Sequence, residues 1–230
     1  MKNAKKSILV VAAHPDDEVL GCGGTLAKYA NDGAIIHVAF LADGVFSRDD
    51  SKKDLLKKLT IRQTAAKKAC EILGVKSVSF NDFPDNKMDT IPLLDVAKIV
   101  EDLVTKHQPE IIFTHHPGDV NVDHQIVNQS VITACRPKPG HPVRTILNFE
   151  VLSSTEWQFS PNEIHFQPNW FEDISGTLKL KIKAMEVYVD ELCDWPHPRS
   201  LEAIEYLSRW RGLTVGVKAA EAFVLARKIK

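Results

Sequence analysis

Six apolar residues in a row, Ile8-Leu9-Val10-Val11-Ala12-Ala13, stop abruptly at His14-Pro15-Asp16-Asp17-Glu18. A short β-branched run with no polar alternation suits a strand buried on both faces, as in a parallel sheet covered by helices. It is far too short for a signal peptide or a membrane span. The same strand pattern recurs at residues 35–41, 75–80 and 110–114. Between these runs lie helical patterns: residues 21–30, closed by Asn31-Asp32-Gly33; a Lys-rich stretch from about Asp50 to Leu73, stopped by Gly74; residues 91–107; and residues 125–135. Strict alternation of strand and helix predicts βαβ units, hence an α/β fold with a mostly parallel sheet and helices on both faces. Beyond residue 145 the pattern weakens. Residues 146–151 and 164–166 read as strands, residues 179–192 and 201–210 as helices, and residues 222–226 either close the sheet or extend a helix. No repeat or linker interrupts residues 1–230, which predicts a single domain.

Composition narrows the function classes. A net charge of -1 lacks the clustered excess of Lys and Arg that a nucleic-acid or anionic-membrane binder needs. Cys22, Cys70, Cys135 and Cys193 are far apart with no CxxC pair, so neither a disulfide scaffold nor a cysteine zinc site is expected. Buried free thiols and a cytoplasmic location are the expectation.

Ligands of open parallel sheets bind outside the carboxyl ends of the strands. Two polar clusters fall there. His14, Asp16, Asp17 and Glu18 follow the first strand; His115, His116, Asp119, Asp123 and His124 follow the fourth. A His and a carboxylate three residues apart at a strand-to-helix turn can converge on one ion, and a ligand from the other strand end would complete a catalytic zinc site with a position left for water. Asp16, between the two, is placed to take a proton from that water. Acids here could instead cap the following helix, but one cap does not need two Asp, a Glu and a His, nor a second His/Asp cluster elsewhere.

The segment Ala13-His14-Pro15-Asp16-Asp17-Glu18 resembles the signature of the LmbE-like, or PIG-L, family of zinc-dependent N-deacetylases, and Asp123-His124 resembles its second motif. Arg62, ahead of Leu73-Gly74, and the late Ala220-Glu221-Ala222-Phe223 segment extend the likeness along nearly the whole chain. The resemblance implies a Rossmann-like fold and hydrolytic removal of an acetyl group from an amino sugar or sugar conjugate. It implies His14, Asp17 and His124 as metal ligands, Asp16 as general base and Asp123 as the residue orienting a catalytic neighbour. It also implies a small N-acetylated substrate as partner and assembly into a homo-oligomer. Zinc is the expected ion, although two imidazoles and a carboxylate also suit Fe2+ or Co2+.

Two positions depart from the family pattern. Asn121 stands where many members carry an oxyanion-stabilising His; Asn donates a hydrogen bond but carries no proton. His116 is the first candidate to replace that His, and His197 the second. Ala65 stands where a Glu often follows the matching Arg by three positions, which alters how Arg62 is held. Substrate-binding candidates are Arg62, through planar bidentate recognition; Asp43, at the end of the second strand; and His197 and Arg199, in the loop Trp195-Pro196-His197-Pro198-Arg199-Ser200. The competing enzyme reading is a metal hydrolase of a non-sugar amide, such as a mercapturate-like conjugate. A non-catalytic nucleotide-binding module would want G-x-G-x-x-G directly after the first strand; Gly21-Cys22-Gly23-Gly24 instead follows carboxylates that would repel phosphates.

Overall fold

The computed structural model describes residues 6–44 and 52–230, and for Lys52 and Lys53 the backbone alone. Lys2, Lys5 and the expected helix start at Asp50 lie outside these. Seven strands form one sheet: β1 (Ser7–Ala12), β2 (Ile35–Ala42), β3 (Ser77–Phe83), β4 (Ile111–His115), β5 (Thr145–Phe149), β6 (Trp170–Asp173) and β7 (Ala220–Lys228). Their order is β3-β2-β1-β4-β5-β7-β6. The first five are parallel, while β7 runs antiparallel to both β5 and β6.

Successive residues of a strand face opposite sides, and β1 shows why it is apolar throughout. Ile8, Val10 and Ala12 enter one core layer, Leu9 and Val11 the other. The first layer is closed by α1 (Asp17–Asn31), α2 (Lys52–Ile72) and, later in the chain, α5 (Leu178–Met185) and α6 (Leu201–Leu213). The second is closed by α3 (Leu93–His107) and α4 (Val122–Ala134). Among the described residues no helix is long and apolar enough to cross a membrane.

The central parallel half follows the sequence closely; the second half does not. Residues 164–166 form no strand. The Ile164 carbonyl instead accepts from His116 Nε2 at 2.7 Å, and a Cβ on Gly118 would sit 1.8 Å from that oxygen. Trp170–Asp173 takes the edge position. The helix expected over 179–192 ends at Met185, and Val189–Glu191 forms a separate 3-10 turn. Residues 222–226 close the sheet, within β7.

Helix α1 starts at Asp17, earlier than the pattern suggested, and breaks at Cys22, whose φ and ψ are -149° and 16°. A Cβ on Gly21 would meet the Phe149 ring at 2.3 Å, so only glycine lets the helix approach the sheet here. The break orphans backbone groups, and a buried ion pair satisfies them. Glu221 accepts from Gly24 N at 2.9 Å and Thr25 N at 2.7 Å; Lys181 Nζ donates to Glu221 at 2.6 Å and to the Leu20 carbonyl at 2.8 Å. Both side chains are almost wholly buried. Removing one member of such a pair strands the other, so Lys181→Met should destabilise the fold by about 3–5 kcal/mol, read as a lowered denaturation midpoint. An unchanged midpoint would show that the pair is not needed to repair the break.

Candidate metal and catalytic site

The strand order reverses between β1 and β4, which opens a crevice at their carboxyl ends. The two polar clusters meet there. Asp17, in the first turn of α1, is fully buried. Its Oδ2 accepts from His14 N at 2.7 Å. It also lies 3.5 Å from His14 Nδ1, 3.5 Å from His124 Nε2 and 3.4 Å from His115 Nε2. Its Oδ1 is buried with no hydrogen-bond partner among the described residues.

These separations discriminate between two readings. At 3.5 Å the imidazole–carboxylate pairs are too long for good hydrogen bonds. They match the edge, about 3.4 Å, of a tetrahedron of ligands held about 2.1 Å from a central zinc. His14, Asp17 and His124 each offer a ligand atom within 4.8 Å of the others, and all three are buried. Two imidazoles, one carboxylate and an orphaned carboxylate oxygen fit a divalent cation.

Each candidate ligand is oriented from behind, as metal-binding imidazoles generally are. His14 Nε2 bonds Asp123 Oδ2 at 2.9 Å and lies 3.2 Å from Asp85 Oδ1. Asp123 is itself fixed by Asn86 N at 2.7 Å and Met88 N at 3.0 Å. His14, Asp85 and Asp123 also cluster within 4.8 Å, but at hydrogen-bond distances, which makes the two acids supports for His14. His124 Nδ1 lies 3.2 Å from Asp119 Oδ1. Asp119 in turn accepts from the Ser154 hydroxyl and from Thr155 Oγ1.

The charges follow from these contacts. Burial alone would neutralise the whole cluster. The charged imidazole of His124 nevertheless holds Asp17 well below the usual carboxylate range. Burial also opposes charge on His124, but Asp17 and Asp119 hold it up at about 9. His14 is likewise raised, by Asp123, Asp17 and Asp85 against burial. His115 is held low by burial and by His124; neutral, its Nε2 accepts from Ala13 N at 2.8 Å. A cation must therefore displace the proton on His124. Binding at pH 7 should release at least one proton, measurable by zinc titration calorimetry in buffers of different ionisation enthalpy. Affinity should climb as pH rises toward 9; a buffer-independent heat would contradict this protonation state.

Asp16 sits beside this centre in an unusual backbone conformation, with φ 117° and ψ -29°. Such a conformation costs a non-glycine residue about 1–3 kcal/mol. Its Oδ2 lies 3.1 Å from Arg199 Nη1 and 3.6 Å from Arg62 Nη2, while Oδ1 is buried without a hydrogen-bond partner among the described residues. Burial pushes its carboxyl up to about 6, against the pull of both guanidiniums. Burial pushes Glu18 further, to about 8, against the Tyr188 hydrogen bond.

The other expected residues divide. Arg199 reaches the site, bonding Ser153 Oγ at 2.7 Å and Glu191 at 3.1 Å besides Asp16. Arg62 lies buried, its Nε and Nη2 on the Pro15 carbonyl and its Nη1 on the Gly44 carbonyl and Glu191, so its donors serve the protein's own loops. Glu191 thus anchors Arg62 where Ala65 offers no carboxylate. Asn121 caps α4, its Oδ1 accepting from Asp123 N and His124 N and its Nδ2 donating to Asn86. With Nε2 on the Ile164 carbonyl and its buried Nδ1 unpartnered, His116 makes no hydrogen bond to the three candidate ligands among the described residues. His197 packs edge-on against Trp157, and its Nδ1 accepts from Arg199 N. Asp43 follows the last residue of β2, next to Gly44. A polar cleft of about 170 Å³ is lined by His14, Gly44, Arg62, Asn121, Glu191 and Arg199, together with Asp85 and Asn86. Sequence reading gave Asp85 and Glu191 no place in the site and named Asp119 only as a member of the second polar cluster. The strand-end rule pointed to Asp85, just past β3; nothing local marked Glu191.

A family profile described as "PIG-L: GlcNAc-PI de-N-acetylase" matches residues 9–135. The chain is 30% identical over 177 residues to the uncharacterized deacetylase YaiS of Escherichia coli (strain K12), covering 75% of this chain and 84% of that protein. It is 29% identical over 210 residues to the 4-oxalmesaconate hydratase of Pseudomonas putida (strain KT2440), covering 86% of this chain and 78% of the hydratase. The solved structure of the N,N'-diacetylchitobiose deacetylase from Pyrococcus horikoshii shares the fold, with a TM-score of 0.78 at 22% identity over 98% of this chain and 85% of that one.

Proposed function

We propose, from the premise that this chain belongs to the PIG-L family of de-N-acetylases, that it is a metal-dependent hydrolase removing the acetyl group from an N-acetylated amino sugar or sugar conjugate. The observation that carries this reading is the buried Asp17, one oxygen without a hydrogen bond among the described residues and the other 3.5 Å from two imidazole nitrogens. Zinc fits that donor set, as do Fe2+ and Co2+. Such an ion supplies Lewis-acid polarisation of an amide carbonyl and a water of lowered pKa.

The protein's own groups do the rest. Asp16 Oδ1 has no competing hydrogen bond among the described residues, so it accepts the proton from water and returns it to the leaving amine. Arg199 holds the other oxygen and so fixes the carboxylate plane. Asp123 and Asp119 keep His14 and His124 in the tautomers that leave one nitrogen facing Asp17. With His116 tied to Ile164, the neutral amide of Asn121, which lines the cleft, is the donor for the developing oxyanion. Arg199 and Arg62, with Asp43 and His197 beside lining residues, border the sugar. The buried Asp16, Asp17 and Glu18 directly after β1 disfavour the nucleotide-binding alternative.

A second reading is a hydratase, because the hydratase relative matches more of this chain than YaiS does. The deciding experiment supplies zinc, then measures acetate release from N-acetylglucosamine and N,N'-diacetylchitobiose, with and without chelator, alongside hydration of 4-oxalmesaconate. Chelator-sensitive acetate release supports deacetylation. Hydration without acetate release replaces it.

A further inference from the structure

Asp16 holds its backbone in a region that side chains avoid, at φ 117°. Such residues persist only where their surroundings over-determine them. The constraint here is a two-step relay. The Asp16 N–H donates to Glu18 Oε2 at 3.0 Å, and the other oxygen of that carboxyl group, Oε1, accepts from the Tyr188 hydroxyl at 2.7 Å. Glu18 is fully buried and Tyr188 is 2% exposed, so water does not substitute for either contact.

Tyr188 arrives from the segment after α5, 170 residues from Glu18. Three residues on, Glu191 bonds Arg62 at 3.0 Å and Arg199 at 3.1 Å, the two guanidiniums that flank the Asp16 carboxylate. One short stretch, residues 188–191, thereby governs both the backbone and the carboxylate of Asp16. We infer that Tyr188, acting through Glu18, is a positioning residue that sets the aim of Asp16. The inference rests on the reading of Asp16 as the proton acceptor. A tyrosine that merely filled the core would lose little on conversion to phenylalanine, which keeps the ring. Among the described residues, loss of the hydroxyl leaves Glu18 Oε1 with only the Cys70 thiol, 3.9 Å away, as a donor. The Glu18 carboxyl group is then free to release the Asp16 N–H.

The test is Tyr188→Phe in the zinc-loaded protein, assayed by acetate release from N,N'-diacetylchitobiose. A misaimed base lowers kcat by about ten- to a hundredfold, with KM changed less than about twofold and metal content unaltered. The loss should vanish in an Asp16→Asn background, since the two changes act on one group. A crystal structure of Tyr188→Phe should show Asp16 out of the positive-φ region. Glu18→Gln keeps an oxygen for Asp16 N–H and should retain far more activity than Glu18→Leu. This pair decides the matter should Tyr188→Phe fail to fold. Wild-type kcat in Tyr188→Phe, losses additive with Asp16→Asn, or an unchanged Asp16 φ would overturn the proposal. If the wild-type protein releases no acetate at all, the deacetylase reading fails by itself, and the Asp16 φ in the variant crystal still decides the positioning role.

Discussion

Asp16→Asn should bind zinc at the wild-type ratio and lose about 10²–10⁴-fold in kcat, the range that a positioned general base contributes. The two halves separate because Asp16 is not among the groups around Asp17 Oδ2. Its own Oδ2 faces Arg199 and Arg62, and its Oδ1 bonds nothing among the described residues. Asparagine keeps the shape and an oxygen for Arg199 but cannot accept a proton at neutral pH. Both guanidiniums keep Glu191 as a counter-charge, so the local fold survives. Elemental analysis and acetate-release kinetics on the same preparation check both halves. Loss of metal from Asp16→Asn would move Asp16 from base to ligand.

His124→Ala should behave oppositely, losing metal and activity together, and it should also weaken the metal-free fold. In that state the His124 ring lies between Asp17, 3.5 Å from Nε2, and Asp119, 3.2 Å from Nδ1. Removing the imidazolium leaves two buried carboxylates facing the space it filled, at a cost of about 3–5 kcal/mol. The sign of the pH dependence follows from the raised pKa. The group titrates near 6.5 unfolded and near 9 folded. Its contribution is therefore complete below pH 6.5 and fades as pH rises through 9. Denaturation midpoints of metal-free wild-type and His124→Ala protein should differ most at pH 6, and the gap should narrow as pH rises through 9. A constant gap would mean that His124 is neutral in the folded apoprotein.

The legible part of the site was the part written in consecutive residues at strand ends. His14, Asp16 and Asp17 share one turn, and Asp123 and His124 share the start of α4, so their elements alone bring them to the β1/β4 crevice. The engagement of His116 was not legible, because its neighbour in space, the Ile164 carbonyl, lies in a loop whose apolar residues mimic a strand. Where the Arg62 donors go was not legible, because nothing near it in sequence shows that the Pro15 and Gly44 carbonyls take them. The Cys22 break was masked because the helical pattern on either side is continuous, and its repair by Lys181 and Glu221 comes from far along the chain.

The sequence by itself determined the α/β alternation, the both-face burial of β1 and the identity of the residues at its carboxyl end. These depend on hydrophobic periodicity and on local turn chemistry, which act over a few residues. Tertiary structure alone decided which carboxylate supports which imidazole, how Asp16 is strained and aimed, and where the antiparallel edge pair closes the sheet. Those outcomes depend on contacts between groups far apart in the chain, 47 residues for Arg62 with Pro15, 170 for Tyr188 with Glu18 and 183 for Arg199 with Asp16. Local sequence pattern carries no record of such meetings.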